Sequence, residues 1–192
     1  MNRSLLFLAF FGFAATALAG PDEQVAEIRK WYDTIEKAKA ANERKIAFEA
    51  KDEPLGGDVT IREFEGGWKT VTASYGEGDH GSADEHFYFK DGKLFFAYIV
   101  TTYWRFHPDS TDEKPKTIDT RIEDRYYYDG KTCVRRLNRS ATSERDKLAA
   151  TIAKVEQKQI EPGNEAKTRL ERGEKLLLAK TAADVLTVFE AK

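Results

Sequence analysis

The eleven residues GEGDHGSADEH, Gly76 to His86, concentrate Asp79, His80, Asp84, Glu85 and His86. Imidazole and carboxylate together suit zinc, and a zinc ion with an open position would activate water for hydrolysis. His80, His86 and Asp84 form the candidate metal set. No HExxH spacing puts two imidazoles on one helix face, and the other reading of the segment is a glycine-rich solvated connection whose polar residues serve turn chemistry. Oxygen-only ligation by Asp79, Asp84 and Glu85 would suit calcium, but a DxDxDG loop closed by Glu is missing. The single cysteine, Cys133, has no histidine near it in sequence and reads as a small packing residue in a strand. There is no GxSxG elbow, SxxK, Walker loop or dinucleotide fingerprint, so serine-hydrolase, kinase and nicotinamide chemistry find no support. No cofactor is expected.

Two further sets could bind without reacting. Trp68, Tyr88, Tyr98 and Trp104 would make a platform for a protein, peptide or glycan if their sheet face were left uncovered, since large exposed apolar patches mark interaction sites. If helices cover that face, the same residues are core. Arg135 and Arg136, with Arg139, Arg105 and His107, could hold a phosphate or carboxylate through paired guanidinium donors. The carboxylates Glu63, Glu65, Glu85, Glu123 and Asp124 contain a possible acid/base pair, although cross-strand pairing with Arg62, Arg121 and Arg125 accounts for them more simply.

The elements that must position these residues are legible from period and turn chemistry. From Asp22 to about Ala41, Val25, Ile28, Tyr32 and Ile35 recur at spacings of three, four and three after Pro21-Asp22-Glu23, which predicts an amphipathic helix with an acidic first turn. Ile46, Phe48 and Ala50 alternate with other residues, which predicts a first strand before the Pro54 to Gly57 breaker. Three hairpins follow, reversing at Gly66-Gly67, Asp91-Gly92 and Asp129-Gly130, because a two-residue type I′ turn needs positive φ at both central positions. The connections Gly76 to Asp84 and His107 to Lys116 read as longer surface loops. Alternation along Lys93 to Phe106 places Leu94, Phe96, Tyr98, Val100, Trp104 and Phe106 on one face, with Phe95, Ala97, Ile99 and Tyr103 on the other. Both faces are apolar near the centre, so each needs a cover.

After Arg139 the composition turns to Ala, Glu, Lys and Leu. Ser143 with Asp146 reads as a capping box opening a helix, Asn164 as the cap of the next, and Thr181 with Asp184 as a third start signal. The fold class is therefore α+β: an N-terminal helix, an antiparallel meander of about six or seven strands over residues 20–140, and a C-terminal helical segment over 141–192, packed on the sheet or extending from it.

Charge and the N-terminus bound the partners. The 31 Lys and Arg face 33 Asp and Glu, with no block of one sign, so nucleic acid is not an expected partner. MNRSLLFLAFFGFAATALAG carries one cation at Arg3, an apolar run from Leu5 to Ala15 and Ala17-Leu18-Ala19, the pattern of a secretory signal over residues 1–19. The remaining chain holds no run of about 20 apolar residues, so no membrane span is expected. A periplasmic or secreted destination follows.

The segment GGWKTVTASYGEGDHGSADEHFYFKDGKLFF, followed by RYYYDGK, resembles exported bacterial proteins of unknown function, in which a Gly-Gly strand leads to a Tyr-Gly loop and an aromatic-Asp-Gly-Lys hairpin. The resemblance covers about residues 57–137 and implies bacterial export and nothing about activity. The expectation is a non-catalytic exported binding or interaction module. A metal-dependent hydrolase using Gly76 to His86 and a structural partner in an envelope assembly remain the alternatives.

Overall fold

The computed structural model describes residues 20–190, so the signal read over 1–19 lies outside the described residues. The first helix, α1 (Pro21–Lys37), carries Asp22 and Glu23 in its first turn, where acidic groups favour the helix dipole. It buries Val25, Ile28 and Ile35. Eight antiparallel strands then lie side by side in chain order: β1 (Asn42–Glu49), β2 (Leu55–Glu63), β3 (Trp68–Glu77), β4 (Gly81–Lys90), β5 (Lys93–Phe106), β6 (Thr117–Asp129), β7 (Thr132–Ser143) and β8 (Lys158–Ile160). The eighth exceeds the six or seven expected. β8 has three residues, too few to show a period, and it pairs with Arg136 to Asn138. Three helices accompany the end of the sheet: α2 (Arg145–Ala153), α3 (Gly163–Leu178) and α4 (Ala182–Glu190). Among the described residues no helix is long and apolar enough to cross a membrane.

All three predicted hairpins form, two of them on loops other than those predicted: between β2 and β3 the reversal is a three-residue turn, Glu65–Gly67, in which Gly66 (φ 77°) and Gly67 (φ 80°) are both left-handed. Asp91 (φ 50°) and Gly92 (φ 77°) supply the two positive φ values of the β4–β5 reversal, as the type I′ turn demands. At the third reversal Asp129 pairs with Thr132, so the loop is Gly130-Lys131, with glycine at its first central position. The expected long connection Gly76 to Asp84 is instead a tight hairpin: Glu77 pairs with Gly81, leaving three residues. Ser82 and Asp84 alternate with buried Ala83 and Glu85, a strand pattern disguised because one inward residue is a carboxylate.

Two irregularities decide which side chains face which cover. Tyr88 pairs with Phe96 and Phe89 with Leu94, so Phe95 is an extra residue bulged out of β5. Tyr127 pairs with Arg135 and Tyr128 with Cys133, which makes Val134 the same kind of bulge in β7. Phe95 therefore joins Phe96 on the α1 side, while Leu94 joins Ala97 and Ile99 on the other. This reverses the faces that simple alternation assigns to Leu94 and Phe95.

Both faces are covered near the centre. On one, Val25, Ile28 and Ile35 of α1 pack on Tyr88, Phe95, Phe96 and Tyr127. On the other, Leu170 and Leu176 of α3 and Val185 and Val188 of α4 pack on the larger core of Val59, Val71, Phe87, Phe89 and Tyr126. α2 closes a small third cluster with Ala141, Leu148 and Ile152. By strand parity Ala141 points to the α1 side.

The C-terminal start signals fare unevenly. Ser143 ends β7 and α2 begins at Arg145, so the Ser143 box does not form. Asn164 lies inside the first turn of α3, whose cap is Pro162. Thr181 and Asp184 do make a reciprocal box: the Asp184 N–H donates to Thr181 Oγ1 at 3.2 Å and the Thr181 N–H to Asp184 Oδ2 at 3.0 Å.

Candidate functional site

The C-terminal half of α1 meets the sheet where its surface turns from apolar to polar. Along β3, β4 and β5 the residues facing α1 change from Trp68, Tyr88 and Phe96 to Thr70, Thr72, His86 and Tyr98 by period-two alternation. These side chains cannot pack densely against a helix, and a cleft of about 530 Å³ remains. Its helix wall is Tyr32, Ile35 and Glu36; Arg62 on β2 stands at its edge. That volume lies in the usual range of small-molecule sites.

The polar atoms of the cleft are held in a defined pattern. The Tyr88 hydroxyl donates to Glu36 Oε1 at 3.1 Å, and its ring lies 5.1 Å from that of Tyr32. The His86 ring stacks on Tyr98 with centroids 5.9 Å apart, and its Nδ1 lies 3.5 Å from Thr72 Oγ1. Burial lowers the His86 pKa, against the opposing pull of Asp84 and Glu36, so the imidazole is neutral near pH 7. Burial raises the pKa of Tyr88, with Glu36 adding to it; burial also raises that of Tyr98, helped by Glu123. All three groups therefore present uncharged hydrogen-bonding atoms beside ring faces. Such a surface suits recognition of a ring-bearing polar ligand.

A second recess of about 250 Å³ continues from the cleft, sharing Tyr32 and Tyr98, and adds Ile28, Arg29, Phe96, Arg125 and Tyr127. The Arg125 guanidinium lies over the Tyr98 ring, 4.5 Å from its centroid.

Of the residues predicted from sequence, Tyr88 and Tyr98 line this cleft. Trp68 does not: it is half-buried against Trp31 and Phe95, with the Lys90 ammonium 4.8 Å from its ring and 4.6 Å from that of Trp31. Trp104 stands six residues along β5 from Tyr98, roughly 20 Å away, edge-on to His80 and Phe106. Arg135 and Arg136 are consecutive in a strand and so point to opposite faces. Arg135 pairs with Asp22 of α1, whereas Arg136 pairs with Asp124 at 2.9 Å and with Glu165 of α3. They cannot converge on one anion, and both already hold carboxylates.

The metal set is not assembled either. His80 sits in the β3–β4 turn against Trp104, Asp84 accepts a hydrogen bond from Ser74 at 2.6 Å, and His86 belongs to the cleft. Among the described residues no three His, Cys, Asp or Glu side chains are placed to hold a metal ion. The acid/base carboxylates are likewise dispersed. Glu85 faces α3, where it accepts from Tyr75, Arg169 and Arg172, while Glu123 faces the α1 side and is held by Arg121 and Arg139. Burial raises the pKa of Cys133, which leaves it a poor nucleophile.

Sequence reasoning missed Tyr32, Glu36, Arg62, Thr70 and Thr72 as cleft residues. One signal was present: Thr70 and Thr72 alternate on β3 directly opposite Tyr88 and His86, a polar strip inside an otherwise aromatic sheet. Neither known protein families, nor curated proteins, nor solved structures give a match to this chain.

Proposed function

We propose that this chain is a non-catalytic exported module, working in the periplasm or outside the cell, that binds a ring-bearing polar ligand in the cleft beneath α1. The observation that carries the reading is the pairing of a 530 Å³ cleft with uncharged polar groups set beside aromatic faces. Tyrosine rings and a stacked imidazole offer flat apolar surface at little entropic cost, and their polar tips fix orientation. A saccharide unit or an aromatic peptide side chain presents the matching combination. Export rests on the signal pattern of residues 1–19.

The test is a titration of the ¹⁵N-labelled mature chain with N-acetylglucosamine oligomers and with short aromatic peptides. Saturable shifts are expected at Thr70, Thr72, His86, Tyr88 and Tyr98, and Tyr98→Ala is expected to weaken binding about tenfold, consistent with loss of one aromatic contact and its hydroxyl. Shifts confined to other surfaces, or binding indifferent to Tyr98→Ala, would overturn the assignment.

A further inference from the structure

Resting on that cleft reading, we infer that the ligand, or the end of it that enters the smaller recess, is a single ring bearing one acidic group, a carboxylate or a phosphate. The recess is lined by two guanidinium-bearing residues, Arg29 from α1 and Arg125 from β6, and by no carboxylate. Four aromatic rings, those of Tyr32, Phe96, Tyr98 and Tyr127, complete it. An engineered cavity of about 150 Å³ accommodates benzene, so 250 Å³ has room for one ring and its acidic substituent.

Arg125 is only partly neutralised from within the protein, by one shared carboxylate at 3.7 Å. The carboxylate beside it, Glu123, is 2% exposed, and its oxygens are engaged elsewhere. Oε1 accepts from Arg121 Nε at 2.8 Å. Oε2 accepts from Arg139 at 2.8 Å through Nε and lies 2.7 Å from its Nη2. The distance to Arg125 Nη2 is 3.7 Å, longer than a hydrogen bond. Burial pushes the Glu123 pKa up, but the hydrogen bonds from Arg139 and Arg121 outweigh it and hold the group below its ordinary range. Three guanidiniums thus share one ionised carboxylate, leaving a local excess of positive charge in a chain whose formal net charge is −2. The Nη1 of Arg125 is buried with no hydrogen-bond partner, and the Tyr98 ring beneath it fixes the plane of the guanidinium. A planar, preset fork with unused donors fits a carboxylate or phosphate oxygen pair. The acidic end would sit on Arg125 and Arg29, and the rest of the ligand would run past Tyr98 toward His86 and Thr72.

Benzoate, phenyl phosphate and benzyl alcohol, each titrated at low salt into the mature chain, separate the possibilities. The acids are expected to bind at least about tenfold more tightly than the alcohol and to move the Arg125 Nε–H resonance. Whichever acid leads supports the proposal and identifies the group. Arg125→Met is expected to reduce that preference to about twofold or less, and Arg29→Gln, at an exposed helix position, to reduce it severalfold without touching the fold. Equal binding of alcohol and acids within the cleft would overturn the acid assignment and leave the cleft reading standing. Acid shifts that bypass Arg125, or an acid preference unchanged in both variants, would overturn it as well. If no probe binds, the acid assignment fails, and absence of shifts with the saccharides and peptides removes the cleft reading separately.

Discussion

Replacing Glu85 by alanine is the severest test of how the sheet is joined to its C-terminal helices. Glu85 is fully buried at the centre of β4, where a carboxylate has no business unless it is neutralised. The structure neutralises it from α3: Arg172 Nη1 donates to Oε1 at 2.7 Å, Arg169 Nη1 donates to the same oxygen, and the Tyr75 hydroxyl adds a third bond at 3.0 Å. Burial, and then the charge of Glu85, raise the Tyr75 pKa well above its ordinary value, so that hydroxyl remains a donor throughout the neutral range. Glu85→Ala removes the acceptor that all three groups share, and leaves Arg172 only its 3.2 Å bond to the Tyr75 hydroxyl. Breaking a buried pair costs about 3–5 kcal/mol because the surviving charge is stranded. The Arg169 and Arg172 side chains keep 25% and 20% of their exposure, so water relieves part of that and the lower end, about 3 kcal/mol, is expected. At roughly 2–4 °C per kcal/mol for a chain of this size, Tm should fall by about 6–12 °C. Urea denaturation and calorimetry on residues 20–192 measure both. The triple variant Glu85→Leu, Arg169→Leu, Arg172→Met removes every charge together and should regain most of the loss, since apolar replacement of a whole buried network is often neutral. A loss below about 1 kcal/mol in Glu85→Ala, or a triple variant no better than the single one, would show that the network does not join α3 to the sheet.

Two further expectations concern packing and pH. Gly173 in α3 lies over Phe87, and a Cβ there would stand 2.6 Å from Phe87 Cδ1. Because Phe87 is fully buried, Gly173→Ala should destabilise by about 1–3 kcal/mol from overpacking despite the gain of about 1 kcal/mol in helix propensity; a more stable variant in urea would refute the contact. His86 has a folded pKa below its unfolded value of about 6.5, so between the two values the unfolded chain binds the extra proton and stability rises with pH. That contribution is full above about pH 6.5 and is lost as pH falls through the folded value. Urea midpoints measured from about pH 7.5 down to 5 should decline, and His86→Gln should flatten the decline; an unchanged slope would mean that another group titrates there.

The parts of this fold that were legible in the chain are those fixed by local chemistry. Asp91-Gly92 announces a reversal because few residue pairs tolerate positive φ twice in succession, and Thr181 with Asp184 announces a helix start because both partners of the capping box lie within four residues. What stayed hidden depends on residues far apart. Glu85 reads as a loop or surface carboxylate until α3, 84 residues later, delivers Arg169. The pair Arg135 and Arg136 reads as one cationic patch until strand parity sends each to its own face. The cleft is assembled from α1 and four strands, and no short window of sequence contains more than two of its walls.

The segments FYFKDGKLFF and YYYDGKTCV share an aromatic-Asp-Gly-Lys pattern, and α1 supplies the reason. Each hairpin closes on a two-residue loop, at Lys90 with Lys93 and at Asp129 with Thr132, and each bulges two residues later, at Phe95 and at Val134. The bulges are equivalent, and both send an additional apolar side chain to the α1 face. The N-terminal half of α1 rests on this doubled apolar support and is tied to it by Gln24 to Asp129 at 2.9 Å and by the Asp22 pair with Arg135. Its C-terminal half then extends over Thr70, Thr72, His86 and Tyr98, residues too short or too polar to meet it. Anchoring one end of a rigid helix on a raised apolar platform leaves the other end standing off a polar surface, and that gap is the cleft. Flattening the platform, by deleting Phe95 or Val134 to restore regular pairing, would accordingly be expected to lower α1 onto the sheet and change the cleft that neither residue lines.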